Sequence, residues 1–217
     1  MRNGATGVRQ VLLFLLCGLL VGTAVAAPID DGLAAVEKGD YAAAFKIFAP
    51  LAEAGDAEAQ HNLAMLYLSG SGVEKDLAAS AQWFRRAAEQ GVPAAQFELG
   101  QLYDKGEGVT QSYHYAFVWY RKAAEQGNAQ AQINLGVLYG EGLGVEQDLK
   151  QAYVWFNLAA AQGYEAAFKN RQILSKEFSQ QELEELRALS QEYFRKYVGP
   201  FQHPTIPRHS RPPQQQP

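Results

Sequence analysis

The sequence predicts an all-α fold in which antiparallel helix pairs stack on one another and a helix caps the C-terminal end. Three consecutive segments, starting at Gly55, Gly91 and Gly127, align over 36 residues each without a gap. A fixed period of this length is typical of repeat proteins, in which each unit is one supersecondary element packed against its neighbours. Within each unit, apolar and small residues recur at steps of three and four, which lines one face of a helix. The segments share the pattern G-x₃-A-Q-x₂-L-x₂-L-Y-x₂-G-x-G-V-x₉-W-x₃-A-A-x-Q.

Residues 1–26 are predicted to be a cleaved signal peptide that does not belong to this fold. Arg2 and Arg9 precede an apolar run of about 14 residues, which is shorter than the ~20 residues that span a bilayer. Ala24-Val25-Ala26 then fits the small-x-small rule of a signal peptidase site. We therefore expect cleavage after Ala26 and a periplasmic or secreted mature protein, with an uncleaved membrane anchor as the alternative.

Cleavage would also remove Cys17, which is the only cysteine in the chain, so no disulfide would be available in an oxidising compartment. Leu16 stands where a lipoprotein signal needs a small residue, and lipidation is therefore not expected. The chain of 217 residues is 47% hydrophobic, which suits a folded protein. Loss of two arginines would lower its formal net charge from −4 to −6, and no block of like charge indicates nucleic-acid binding.

Residues 27–54 are predicted to form an N-terminal half repeat. The stretch from Asp40 to Gly55 matches the second helix of a unit, and residues 30–38 are expected to form a shortened partner helix. This half unit would begin the stack and cover the first full repeat.

Residues 55–162 are predicted to be three full repeats of two helices each. In the first helix of each unit, Asp56 and Asn128 are candidate N-caps and Pro93 suits the first turn. The Gly-x-Gly pair is expected to end this helix, because glycine adopts the left-handed conformation without steric cost. The second helices are expected to begin after good N-capping residues, namely Asp40, Asp76, Ser112 and Asp148.

Two features of the repeats have other possible interpretations. The aromatic stretch at residues 112–120 has strand propensity, but the equivalent residues of the other units are helical, so a helix is predicted. The sequence GEGLGV at residues 140–145 resembles a phosphate-binding loop. Because every repeat has this loop, without a preceding strand or a Lys-Ser/Thr pair, we interpret it as a turn.

Residues 163–199 are predicted to form C-terminal capping helices. Ser179 and Glu182 are spaced as a capping box and precede an amphipathic segment that extends to Tyr197. Leu158 replaces a cation of the earlier units, so we expect the helix over residues 179–197 to fold over the end of the stack and bury it. Residues 200–217 are rich in proline and glutamine and are predicted to be a disordered tail.

The repeat pattern closely resembles that of the Sel-one-like repeat family, which is related to the tetratricopeptide repeats. This resemblance covers residues 40–163 and implies a right-handed α-solenoid that binds other proteins as an adaptor or assembly factor. A cysteine-rich subgroup of the family has been linked to β-lactam binding or hydrolysis. The mature chain has no cysteine, so a β-lactamase-like hydrolase remains only an alternative.

The sequence contains no recognisable catalytic or metal-binding constellation. Neither His61 nor His114 has an evident nucleophile or orienting partner, and His203 and His209 of the tail would make a weak metal site. We therefore predict a protein that is not an enzyme and that has no cofactor and no metal.

A partner-binding groove is predicted on the face of the first helices that lies opposite the packing signature. In the solenoid that the resemblance implies, these faces line the concave side and align from one repeat to the next. The predicted partner is a protein or peptide of unknown identity, and the mature chain is expected to be a monomer without stable membrane insertion. The groove residues are Asn62, Met65, Glu98, Gln101, Asn134 and Val137.

Overall fold

The computed structural model describes residues 29–201. The predicted signal peptide and most of the predicted tail, including His203 and His209, lie outside these residues. The described part of the chain is all-helical, and no helix in it is long and apolar enough to cross a membrane. The helices are α1 (Ile29–Glu37), α2 (Tyr41–Glu53), α3 (Ala57–Ser69), α4 (Leu77–Glu89), α5 (Pro93–Lys105), α6 (Tyr113–Ala124), α7 (Ala129–Glu141), α8 (Leu149–Ala161), α9 (Glu165–Leu174) and α10 (Gln180–Tyr197).

Each helix up to α9 packs against the next one in the chain, which makes the fold an α-solenoid. The local signals of the sequence set the helix limits as predicted. Asp56 and Asn128 accept hydrogen bonds from backbone N–H groups of the first turn, and Pro93 begins α5. The aromatic stretch forms helix α6, because its packing within the repeat prevails over local strand propensity. The four predicted N-caps of the second helices all accept such bonds, namely Asp40, Asp76, Ser112 and Asp148.

The two glycines of each Gly-x-Gly pair have different roles. Gly106 is the left-handed C-cap of α5, with φ of 73°. Gly108 also has a positive φ, of 69°, and lies against the backbone of Leu77 and Ala78 at the start of α4. A Cβ atom at this position would collide with that backbone, so the second glycine allows a close approach between neighbouring units. The same arrangement recurs where Gly72 meets Tyr41 and where Gly144 meets Tyr113.

A ladder of glutamine pairs, one member of each buried, runs along the repeats. In each unit, the glutamine that ends the second helix donates a hydrogen bond to a glutamine on the first helix, and that residue donates to a main-chain carbonyl of the preceding unit. Because the acceptor glutamines are at most 4% exposed, unpaired amides here would be costly. The pairs are Gln90–Gln60 (2.8 Å), Gln126–Gln96 (2.8 Å) and Gln162–Gln132 (2.9 Å).

The repeated tryptophans are covered in two different ways. In the first two full units a cation from the same helix lies over the ring, with Arg86 4.5 Å from the centroid of Trp83 and Lys122 4.2 Å from that of Trp119. In the last unit Leu158 occupies the position of these cations and is 1% exposed. Its tryptophan is covered by helix α10 instead.

Helix α10 has its main contact with α8 rather than with α9, which precedes it in the chain. Tyr193 and Tyr197 pack against Trp155, each with its ring centroid 5.6 Å from the indole. Lys150, at the start of α8, pairs with Glu182 at 3.1 Å, so the two helices run in the same direction. The predicted capping box of Ser179 and Glu182 begins α10.

Candidate functional site

The six residues of the predicted groove lie on α3, α5 and α7, and none of them is buried. Met65 is the most accessible, with 38% of its surface exposed, whereas the other five are half-buried. Asn62 donates to the main-chain carbonyl of Glu58 on its own helix, at 2.9 Å. The packing leucines at 63, 99 and 135 are at most 2% exposed. The first helices therefore have one buried face and one partly accessible face.

Glu98 is the charged residue at the centre of this accessible face. Burial raises the pKa of its carboxyl group, and Lys105 partly opposes that shift by electrostatic attraction. A half-buried carboxylate favours neighbours that donate hydrogen bonds or carry positive charge. Glu98 is therefore suited to bind a donor on a partner.

Tyr120 places a hydroxyl group in the same region, and the sequence pattern did not indicate this residue. Its side chain is fully buried, and its hydroxyl donates to Asp104 at 3.1 Å. Asn134 approaches this hydroxyl from α7, while burial and the Asp104 carboxylate raise the pKa of Tyr120. The equivalent residues are Phe84 and Phe156. The replacement of phenylalanine by tyrosine in one of three units was the sequence signal from which this residue could have been found. It gives the middle repeat a hydroxyl group beside Glu98 and Asn134.

Phe97 lies next to the groove residue Glu98 in the sequence but belongs to the core. It is only 7% exposed and packs against Tyr120, with the ring centroids 6.0 Å apart. The equivalent residue His61 packs in the same way against Phe84, at 5.6 Å. This position thus lies at the edge of the core, because an aromatic residue of the following helix extends underneath it.

The histidines of the described residues do not form a catalytic arrangement. His61 Nδ1 is buried without a hydrogen-bond partner, and burial lowers the pKa of His61 to about 4. His114 lies exposed near the start of α6, beside the ring of Tyr115. No group of three or more metal-ligating side chains occurs between residues 29 and 201.

The helix pairs, each packed against the next along the chain, define a helical repeat protein. A comparison with family models identifies a Sel1 repeat at residues 29–56, 57–92, 93–128 and 129–164. The chain therefore belongs to the Sel1 repeat family, whose members mediate protein–protein interactions. The first match includes the segment predicted as a half repeat, where α1 and α2 form a short helix pair.

Solved structures of the same fold support this assignment. The crystal structure of a Sel1 repeat protein from Oxalobacter formigenes is 35% identical, with a TM-score of 0.64, and the match covers 67% of this chain and 60% of that one. The structure of c5321, a protective antigen of uropathogenic Escherichia coli strains with an SLR fold, is 31% identical, with a TM-score of 0.57. That match covers 80% of this chain and 46% of the antigen. A comparison with curated proteins found no match.

Proposed function

We propose that this protein is a periplasmic or secreted scaffold that binds a protein partner in the groove formed by α3, α5 and α7. Its role would be that of an adaptor or assembly factor of an envelope complex. The proposed location comes from the signal peptide that the sequence predicts. The chain would act as a monomer, because the surface proposed for binding belongs to a single stack.

One observation carries this proposal. Asn62, Glu98 and Asn134 occupy equivalent positions in three consecutive units and are all partly accessible, while the signature residues on the same helices are buried. Amide and carboxylate groups in a row can hydrogen-bond an extended or helical segment. Met65 and Val137, about one turn further along, add apolar contacts, and methionine adapts well to irregular partners.

The test is partner capture from envelope extract by the wild-type protein and by a variant in which Asn62, Glu98 and Asn134 are all alanine. We expect capture to fall about tenfold or more, since two or three net hydrogen bonds of ~0.5–1.5 kcal/mol each are lost. The circular dichroism spectrum should not change, because the packing signature is intact.

Substitution of Arg85, Arg86 and Arg121 on the second helices provides the control. These residues lie on the opposite layer, and their replacement should leave capture unchanged. If the arginine variant loses the partner while the groove variant retains it, the binding surface is the other layer and the groove assignment is wrong. A β-lactam hydrolysis assay on the same preparations tests the alternative of a hydrolase.

A further inference from the structure

A cleft lies where the last full repeat meets the C-terminal helices. It is a cavity of about 280 Å³ between α8, α9 and α10, lined by Tyr153, Asn157, Arg171, Gln172, Ser175 and Arg187. A second cavity of about 590 Å³, which is a shallow depression open to solvent, shares Gln172 and Ser175 with it and also contacts Lys169, Ile173 and Lys176. Within the described residues, no aspartate or glutamate lines either cavity. Lys169 pairs with Glu165 at 2.8 Å, whereas Arg171, Lys176 and Arg187 form no ion pair within residues 29–201, so a local excess of positive charge occurs in a chain whose formal net charge is −4.

The cleft lies where the residues of the repeat pattern change. In the preceding unit, Tyr139 of α7 packs edge-on against Phe117 of α6, with the ring centroids 5.2 Å apart. One repeat later the equivalent residues are Ser175 and Tyr153. Serine is too small to fill the volume of a tyrosine, and α10 packs along α8 instead of continuing the stack. Phe178, which follows α9, packs edge-on against Tyr153 with the ring centroids 6.0 Å apart, so an aromatic ring still contacts Tyr153, while Ser175 presents only a small hydroxyl side chain to the cavity.

A guanidinium group takes the place of a core leucine beside this space. Arg171 is equivalent to Leu63, Leu99 and Leu135, which are at most 2% exposed. It donates to Asn157 Oδ1 at 2.6 Å and lies over the ring of Phe168, 4.9 Å from its centroid. Arg187 of α10 lines the same cavity. No carboxylate of residues 29–201 forms an ion pair with either guanidinium, so both charges lack an anionic partner.

We propose that the cleft formed by Arg171 and Arg187 binds a carboxylate side chain presented by an acidic segment of a protein partner. Guanidinium groups match the geometry of a carboxylate and can bind it through two parallel hydrogen bonds. The hydroxyl of Ser175 and the amide of Gln172 supply further donors at the same cavity. This inference rests on the proposed function, since it assigns a second contact for the partner of the groove.

The surroundings of the cleft favour a peptide over a free anion. Ile173 lines the larger cavity and is 61% exposed, and Phe168, beneath Arg171, is 43% exposed. These apolar groups would contact the side chains next to an acidic residue, whereas an inorganic anion would leave them in water. Ile173 also follows Met65, Gln101 and Val137 at the repeat period, so the cleft lies at the end of the proposed groove.

The experiment is a titration of the purified protein with a blocked peptide in which glutamate alternates with leucine. Binding is followed through the side-chain Nε–H signals of Arg171 and Arg187 in a nitrogen-correlated NMR spectrum. We expect both signals to shift with this peptide and not with its glutamine analogue. The Arg171→Leu and Arg187→Gln variants should each bind about tenfold more weakly, as expected for the loss of a charge-assisted hydrogen bond.

Two design choices keep this test decisive. Leucine is the residue of the equivalent core positions, so Arg171→Leu should fold, and Arg187 lies exposed on α10, where glutamine is tolerated. Arg195→Gln on the same helix is the matched control and should bind like the wild type. Equal binding of both peptides, tighter binding of inorganic phosphate than of the glutamate peptide, or unchanged affinity in both arginine variants would each overturn the proposal.

The peptide titration and the groove variant test the cleft and the groove separately, so failure of one assignment can be told apart from failure of the other. If the peptide does not bind, while the groove variant still loses its partner, the cleft is wrong and the groove assignment remains supported. If the peptide binds through both arginines, while the groove variant captures its partner normally, the cleft is supported and the groove assignment is wrong.

Discussion

His61 is a titratable residue at a position that holds Phe97 and Ile133 in the following units. Its ring packs against Phe84, and Nδ1 has neither solvent access nor a hydrogen-bond partner. Burial lowers the pKa of this histidine from 6.5 to about 4, because no neighbouring group compensates the charged form. Protonation of one side chain therefore opposes the packing of the first full repeat.

We expect the protein to lose stability as the pH falls from 6.5 towards 4. The unfolded chain takes up a proton at His61 near pH 6.5, whereas the folded chain does so only near pH 4. Unfolding is thus favoured by up to about 3 kcal/mol at the acidic end of this range. Urea unfolding at several pH values measures the effect, and His61→Phe should reduce the pH dependence.

Replacement of the exposed His114 by glutamine is the control for removal of a histidine and should leave the pH dependence due to His61 in place. A wild-type profile that is as flat as that of His61→Phe would contradict the assignment to His61.

Gly108 shows how a single residue sets the distance between neighbouring units. We expect Gly108→Ala to destabilise the protein by more than 2 kcal/mol, because the added Cβ combines a left-handed backbone with a collision against the main chain of Leu77. Gly91 has a φ of 94° and open space around the position of a Cβ. Gly91→Ala should therefore cost only about 1 kcal/mol in urea unfolding. Equal losses in the two variants would exclude the collision as the cause.

At the scale of elements, α10 replaces the partner helix that a further repeat would have supplied. Helix α10 covers Trp155, which is 3% exposed. Trp155 and Leu158 belong to the same apolar cluster. The exposed cations at this position in the two earlier units need no such cover. The apolar residue at position 158 therefore accompanies α10, which provides the cover that an apolar residue needs.

Ending the chain after Phe178 should lower its free energy of unfolding by several kcal/mol. The truncation removes α10 and exposes Trp155 and Leu158 to water, at about 1.5–3 kcal/mol for each large apolar side chain. Thermal unfolding of the two chains measures the difference.

Leu158→Lys, which restores the residue type of the earlier units, separates this effect from a general loss of structure. It should destabilise the full chain by ~3 kcal/mol or more, because a charge would be buried. In the truncated chain the same substitution should have little effect or increase solubility. A similar cost in both chains would argue against cover by α10.

At the scale of the whole molecule, stability depends on packing and on the contacts that link consecutive repeats. The buried glutamines donate to main-chain carbonyls of the preceding unit, and the second glycine of each pair lies against the backbone of the preceding unit, so each repeat stabilises its neighbour. A mature chain beginning at Ala27 would have no cysteine, and this cohesion would have to suffice outside the cytoplasm without a disulfide.

The location is tested by N-terminal sequencing of the protein purified from an envelope fraction and from the medium. We expect Ala27 as the first residue, because the Ala24-Val25-Ala26 site follows a short apolar run. Detection of Met1 on a membrane-bound chain would support the alternative of an uncleaved anchor.

Much of the fold follows from the sequence, because the relevant signals are local and occur three times. The period of 36 residues, the capping residues, the helix-ending glycines and the leucine face each depend on residues within one turn or one unit. The sequence indicated the accessible face only in part, because Phe97 lies on the part of the helix that the packing signature does not occupy and is nevertheless buried against Tyr120. Its role in binding remains a prediction.

The remaining features depended on contacts between residues that are distant in the sequence. Pairing of Gln60 with Gln90, burial of Phe97 under Tyr120, and the course of α10 along α8 all required the relative positions of helices. The repeat alignment showed that Ser175 and Arg171 break the pattern. Whether these residues line a cleft depended on where α10 packs. The sequence by itself thus determined the repeating unit, because periodicity and capping act locally. Only the tertiary structure decided which surfaces meet and where the cationic cleft is left open, because α10 has no counterpart in the repeat to indicate its path.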